Sequence, residues 1–155
     1  MTGVRVAFVD LYVLRGADAH LEVLALRRSG EGRCARSWET VHGSIEGDET
    51  PLAAALRELR EETGLVPDRV YNASRVEAFY LHRTDEVALL PVFAAFVAAG
   101  AEPRVSREHD RAEWLAPRAA LDRFSWPRER RALEDIISLF GKGGGGLLED
   151  VLRVC

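Results

Sequence analysis

The segment Gly43–Leu65, GSIEGDETPLAAALRELREETGL, constrains this chain more than any other. Thr50 suits an N-cap, Pro51 suits a first helical turn and Gly64 suits an end, so the spacing predicts a helix over Leu52–Thr63. At about 100° per residue, Leu52, Ala55, Leu56, Leu59 and Thr63 form one stripe, which is expected to face the core. Glu58, Glu61 and Glu62 fall on a neighbouring arc of roughly 100°. The 58/61 and 58/62 pairs stand where side chains meet, and like charges there cost roughly a few tenths of a kcal/mol each. The arc also lies in the C-terminal half of the helix, where the macrodipole disfavours negative charge. Arg57 offsets part of this through its spacing to Glu61. A cluster that costs stability alone makes sense when a cation neutralises it, and hard oxygen donors point to Mg²⁺ or Mn²⁺. Ahead of the helix, the loop His42–Thr50 holds two glycines and Glu49, and can bend a backbone carbonyl and one more carboxylate toward the same place.

The rest of the chain frames that segment. Its 155 residues fit one compact domain, with 1–142 as the body and 143–155 as a Gly-rich break and short tail of the same domain. A net charge of -4 gives no cationic field to hold a nucleic-acid polymer, so an anionic substrate must be met by local arginines or by a metal. Lys142 is the only lysine, which favours planar two-point contacts from arginine. Cys34 and Cys155 stand far apart without metal-ligand spacing, and a reducing cytoplasm is expected. The opening MTGVRVAFVDLYVLRG is interrupted by Arg5 and Asp10 and reads as a first strand, not a signal peptide. No stretch approaches a membrane span. A homodimer stays open as an assembly.

Val4–Leu14 and Leu21–Arg27 are β-rich around a turn at Gly16–Asp18, which predicts a hairpin. A short strand is expected at Trp38–Val41, and two longer ones at Val70–Leu81 and Val87–Val97 about the polar tip His82–Glu86. Pro117 and Pro127 open two helices, the second presenting Leu133, Ile136, Ile137 and Phe140 on one face. VSREHDRAEWL reads as a polar loop entering a Trp-Leu segment. Strands on both sides of one central helix, with helices at the end, point to a mixed sheet between helical layers, an α+β fold.

Gly43, Glu49, Arg57, Glu58, Leu59, Glu61, Glu62, Gly64 and Leu65 match G-x5-E-x7-R-E-U-x-E-E-x-G-U, where U is a bulky aliphatic, without a mismatch. At ordinary residue frequencies a chance match in such a chain is roughly one in a million, which sets aside a merely solvated acidic face. The chain thus resembles the Nudix hydrolases, and the order of elements from about Val4 to Phe140 resembles their αβα sandwich. That resemblance implies a hydrolase that cleaves a diphosphate linkage in a nucleotide-like small molecule. It implies Glu58 and Glu62 as main metal ligands, Glu61 as a direct or water-mediated one, and Arg57 as the residue that orients them. The His42 backbone carbonyl would complete the sphere. Glu61, Glu62 and Glu108 all stay open as the general base.

A narrower similarity concerns Trp38-x-x-Val41-x-Gly43-Ser44-Ile45-Glu46, Glu108-His109, Trp114-Leu115 and Trp126 with Arg128–Leu133. These resemble the branch that acts on dATP and dihydroneopterin triphosphate, releasing pyrophosphate. By that resemblance Glu108 is a further metal ligand, and Arg27 contacts substrate rather than Arg28. Arg5 is a looser match on the substrate side, where His42 and Trp38 are also expected, although Trp38 is divided between packing and lining the pocket. No histidine stands at zinc spacing, so an imidazole ligand is not expected. Phe79 and Tyr80 are read as packing residues. Alternatives are another Nudix activity, on ADP-ribose, a dinucleoside polyphosphate or an oxidised nucleotide, and a non-catalytic Nudix domain that senses a ligand. Domains of the latter kind generally lose carboxylates of the Gly43–Leu65 motif, the Nudix box, and this chain keeps all of them.

Overall fold

A computed structural model describes residues 1–155. The chain runs β1 (Gly3–Val6), β2 (Phe8–Arg15), β3 (Glu22–Arg28), β4 (Trp38–Glu39), β5 (Val41–Ser44), α1 (Pro51–Thr63), β6 (Arg69–Leu81), β7 (Glu86–Phe96), β8 (His109–Leu115), α2 (Pro117–Arg123), α3 (Pro127–Phe140) and α4 (Glu149–Leu152). The expected hairpin forms, with β2 and β3 antiparallel through Leu14–Val23 and Arg15–Glu22. β6 and β7 form the long antiparallel pair. β7 also runs parallel to both β1 and β2, so the sheet is mixed.

Two expected strands divide in two. Pro91 sits inside β7 and has no N–H to donate, a residue normally kept from central strands. The neighbours break around it. β1 pairs up to Val6–Leu89 and β2 resumes at Asp10–Val92, while β6 bulges between Asn72 and Val76, which is paired with Pro91. The second division lies at Thr40, between β4 on β3 and β5 on β2.

The largest departure from the sequence reading is β8. The stretch taken as a polar loop is, from His109 on, a strand paired antiparallel to β3 from Arg28–His109 to Val23–Leu115. Its side chains alternate too weakly to reveal it, and the pairing with β3 supplies what local pattern lacks.

Alternate residues of β2 and β3 feed two cores, which explains their near-continuous apolar runs. Val9, Leu11, Val13, Leu24 and Leu26 pack with Ala54, Ala55 and Leu59 of α1. Tyr12, Leu14, Val23 and Ala25 pack with Leu133, Ile136 and Phe140 of α3. The tail after the glycines returns to the body: Leu152 is buried, Val154 N–H donates to Val70 O, and Tyr71 OH donates to Glu149. No helix is long and apolar enough to cross a membrane.

Candidate metal and substrate site

α1 begins as its sequence predicts, with Thr50 Oγ1 accepting from Ala53 N–H at 3.2 Å, and ends at Gly64 in the left-handed region at φ 69°. Of the expected stripe, Ala55, Leu59 and Thr63 are fully buried, but the buried face is wider than the stripe. Glu58 and Glu62 are buried, whereas Leu52 and Leu56 are only half-buried. The cause is β5. Gly43 has no side chain, and a Cβ there would overlap the Glu58 carboxyl group. The helix therefore turns the Glu58 carboxylate against the strand while Leu59 stays in the core.

Arg57 neutralises more than its spacing suggests. Its guanidinium donates to Glu49 at 2.6 and 3.2 Å, to Glu58 at 2.8 Å, to Glu61 at 3.3 Å and to the Ser44 carbonyl at 2.8 Å. The Arg57 bonds and a backbone N–H from Glu46 hold the Glu49 carboxyl below the usual carboxylate range. Burial pushes Glu58 up despite Arg57. Glu62 has no arginine. Burial first, then repulsion from Glu39, Glu58 and Glu108, pushes its carboxyl well above the ordinary range.

Glu108 comes from the turn before β8 and is exposed. One ligand atom each from Glu62, Glu108 and His109 lie within 4.8 Å of one another. A cavity of about 230 Å³ is lined by Glu58, Glu61, Glu62, Ser106, Arg107 and Glu108. A larger depression of about 430 Å³ is lined by Arg118, Arg130 and Arg131 together with Asp122 and Glu134. Spacing along the chain puts no imidazole with the carboxylates, but the fold does. His109 reaches them through the β3–β8 pairing. Glu39, not singled out from sequence, accepts from His109 Nε2 at 2.9 Å and from Arg28 at 3.1 Å.

Arg28 thus belongs to the acidic cluster through Glu39, while Arg27 donates to Asp110 at 2.7 Å and lies over Trp38 at 5.9 Å. Trp38 packs partly into the α3-side core and is also covered by Arg123 at 4.5 Å. Arg5 is exposed, pairs with Glu86 at 2.9 Å and is not brought to the carboxylates. The His42 ring bonds Asp10 at 2.7 Å and stacks on Phe8, which stacks on Phe79. Arg128 also donates to Asp10 and lies 5.9 Å from the Phe79 ring centre. Asp10 had a visible signal in the sequence, an acid inside an apolar strand; Glu39 had none.

Beneath this network Glu129 accepts from Thr40 N–H at 3.1 Å, which ties the β4–β5 kink to α3. Its second oxygen is buried without a partner, and burial followed by repulsion from Asp10 pushes its carboxyl well above the ordinary range. An acid raised in the folded state contributes stability that is fully present below its unfolded value, about 4.3, and is lost as pH rises toward the folded value. Melting curves in metal-free buffer should therefore show wild type losing stability relative to Glu129→Gln from about pH 4.3 upward. Parallel pH profiles for the two proteins would show that Glu129 does not titrate abnormally.

An αβα sandwich with an arginine-held carboxylate helix against one sheet strand defines a narrow class of protein. The NUDIX domain family matches residues 4–136, and the chain belongs to that family, whose members hydrolyse phosphoanhydrides and typically use a divalent metal. It is 32% identical over 133 residues, 81% of this chain and 35% of the relative, to an octanoyltransferase of Myxococcus xanthus. The chain spans about a third of the length of the curated relatives it matches. In structure it is similar to a C. elegans Ap4A hydrolase in a binary complex, with TM-score 0.70 and 17% identity over 84% of this chain and 94% of that one. It is also similar to the E. coli dihydroneopterin triphosphate pyrophosphohydrolase, with TM-score 0.65 and 24% identity over 84% of this chain and 94% of that one.

Proposed function

We propose that this chain is a Mg²⁺- or Mn²⁺-dependent pyrophosphohydrolase of a nucleoside or pterin triphosphate, acting as one domain with its tail in the cytoplasm. The observation that carries the reading is the Glu108–His109 pair, brought by β8 to the buried end of the box helix beside Glu62. A pair in that place is what the narrower sequence similarity implies, and the E. coli dihydroneopterin triphosphate pyrophosphohydrolase is among the structural neighbours.

The residues present fit a divalent cation. Glu62 Oε2 is buried without a partner, and the surrounding donors are hard oxygens. Glu58, Glu62, Glu61 and Glu108 would hold the ion, which supplies charge screening at the phosphate and a more acidic water. Arg57 fixes the Glu58 and Glu61 carboxyl groups so that little reorganisation accompanies binding. Glu61, Glu62 or Glu108 takes the proton from the attacking water. The Phe79–Phe8–His42 stack is partly open and offers a flat face to a base or pterin ring, while Arg27 beside Trp38 offers a guanidinium to phosphate.

Nucleoside triphosphates, dihydroneopterin triphosphate, ADP-ribose and diadenosine tetraphosphate should be compared with Mg²⁺ and with EDTA. Pyrophosphate released from a triphosphate, only with metal, is the expected result. Faster turnover of ADP-ribose or diadenosine tetraphosphate assigns another Nudix activity, and no metal-dependent turnover assigns a ligand-sensing domain.

The carboxylate outside the box gives a sharper test. Glu108→Gln is expected to lower turnover by about 10- to 10³-fold and to weaken metal binding. Glu113→Gln should do neither, because Glu113 is spent on Arg111 and Arg123 at 2.8 Å each. Matching kinetics and metal affinity for the two variants would remove Glu108 from the site.

A further inference from the structure

We propose that His109 gives the cation site a nitrogen donor, through an Nδ1 lone pair left free because Glu39 occupies Nε2. The proposal rests on the reading of the carboxylate cluster as a cation site and is independent of which substrate is cleaved.

The His109 side chain is fully buried, with 0% exposure, at the first residue of β8. Its Nε2 lies 2.9 Å from Glu39 Oε1, and Glu39 is itself 5% exposed and anchored by Arg28. A carboxylate only accepts, so Nε2 carries the hydrogen, and in the neutral ring Nδ1 keeps the lone pair. Nδ1 meets no protein donor, and Glu62 Oε2 is buried in the same condition. A ring nitrogen of His109 and carboxylate oxygens of Glu62 and Glu108 all fall within 4.8 Å of one another. Around a six-coordinate Mg²⁺ opposed ligands stand about 4.2 Å apart and adjacent ones about 3 Å, so one ion would receive all three once these side chains draw together around it.

Metal-bound imidazoles usually pass their other N–H to a carboxylate or carbonyl, which fixes tautomer and ring orientation. Glu39 stands in that relation to His109. The competing arrangement is a neutral Glu62 donating its proton to Nδ1, with His109 serving only to pack the strand. The two differ in consequence. A nitrogen donor shifts preference from Mg²⁺ toward Mn²⁺ and later first-row ions, whereas a packing histidine does not.

Mn²⁺ alone, added to the full chain, is the probe. Pulsed EPR of the Mn²⁺-loaded protein should show the ¹⁴N coupling of a directly bound imidazole. Growth with ¹⁵N-histidine should convert it to a ¹⁵N coupling without any substitution. In His109→Gln, checked for folding by its melting curve, the coupling should vanish. Mn²⁺ affinity should fall about 10- to 100-fold, with a smaller loss for Mg²⁺. If wild type binds Mn²⁺ in a manner weakened by Glu62→Gln yet shows no nitrogen coupling, His109 is not a donor and the cation site still stands. If Mn²⁺ does not bind, or binds without regard to Glu62, the cation reading fails and this proposal falls with it.

Discussion

Glu62→Gln is expected to fold, to lose roughly 10²- to 10⁴-fold in turnover, and to gain stability in the absence of metal. The loss of turnover follows from its place in the carboxylate group with Glu108 and His109. The gain of stability follows from burial. Only 2% of Glu62 is exposed, and its carboxyl lies well above the ordinary range because of desolvation and the nearby Glu39, Glu58 and Glu108. Since the folded-state value is raised, the wild-type side chain loses its contribution to stability as pH rises from about 4.3, and a glutamine does not titrate. Melting in EDTA at pH 8 should therefore place the variant above wild type. Saturating Mg²⁺ should raise wild type and leave the variant nearly unmoved, so that the order reverses. Near-wild-type turnover, or equal Mg²⁺ shifts in both proteins, would take Glu62 out of the site.

Gly43→Ala is expected to be as damaging, although it removes no functional group. The added methyl would overlap Cδ, Oε1 and Cγ of Glu58, which the helix presses against β5. Its backbone is strand-like and needs no special φ, so the effect is one of space alone. Over-packing of this kind costs about 1–3 kcal/mol. Relief requires the Glu58 side chain to swing away from β5, or α1 to move with it, and either takes the Glu58 carboxyl from its position in the cluster. Turnover should drop by about 10²-fold, the scale on which small misplacements act, while metal affinity falls with it. A control at Gly47, where no heavy atom lies within 4 Å but φ is 51°, should cost stability through strain and leave metal affinity unchanged. If Gly43→Ala binds metal as well as wild type does, the tight approach of strand and helix is not what positions the carboxylates.

Much of the molecule was legible from neighbouring residues. The limits of α1 followed from Thr50, Pro51 and Gly64, because capping and φ preferences act over a few residues. Pro117 and Pro127 marked the starts of α2 and α3 for the same reason. The box pattern placed Arg57, Glu58, Glu61 and Glu62 within one helical turn or so of each other, and the family with them. What periodicity did not decide was how far the buried face of that helix extends. The expected stripe is buried at Ala55, Leu59 and Thr63 and half-buried at Leu52 and Leu56, and the gap left by Gly43 adds Glu58 and Glu62 to it. Nor did spacing join His109 to Glu39 and Glu62, since β8 alternates weakly and meets β3 only through long-range pairing. The sequence by itself determined the family, the helix and its carboxylates, because these depend on local geometry and on residue identity. Tertiary structure alone decided the buried neighbours of Glu62, the allegiance of Arg28 rather than Arg27 to the acidic cluster, and the toleration of Pro91 in a central strand. Each of those depends on what a distant strand places alongside, where burial and unmet hydrogen bonds set the energy.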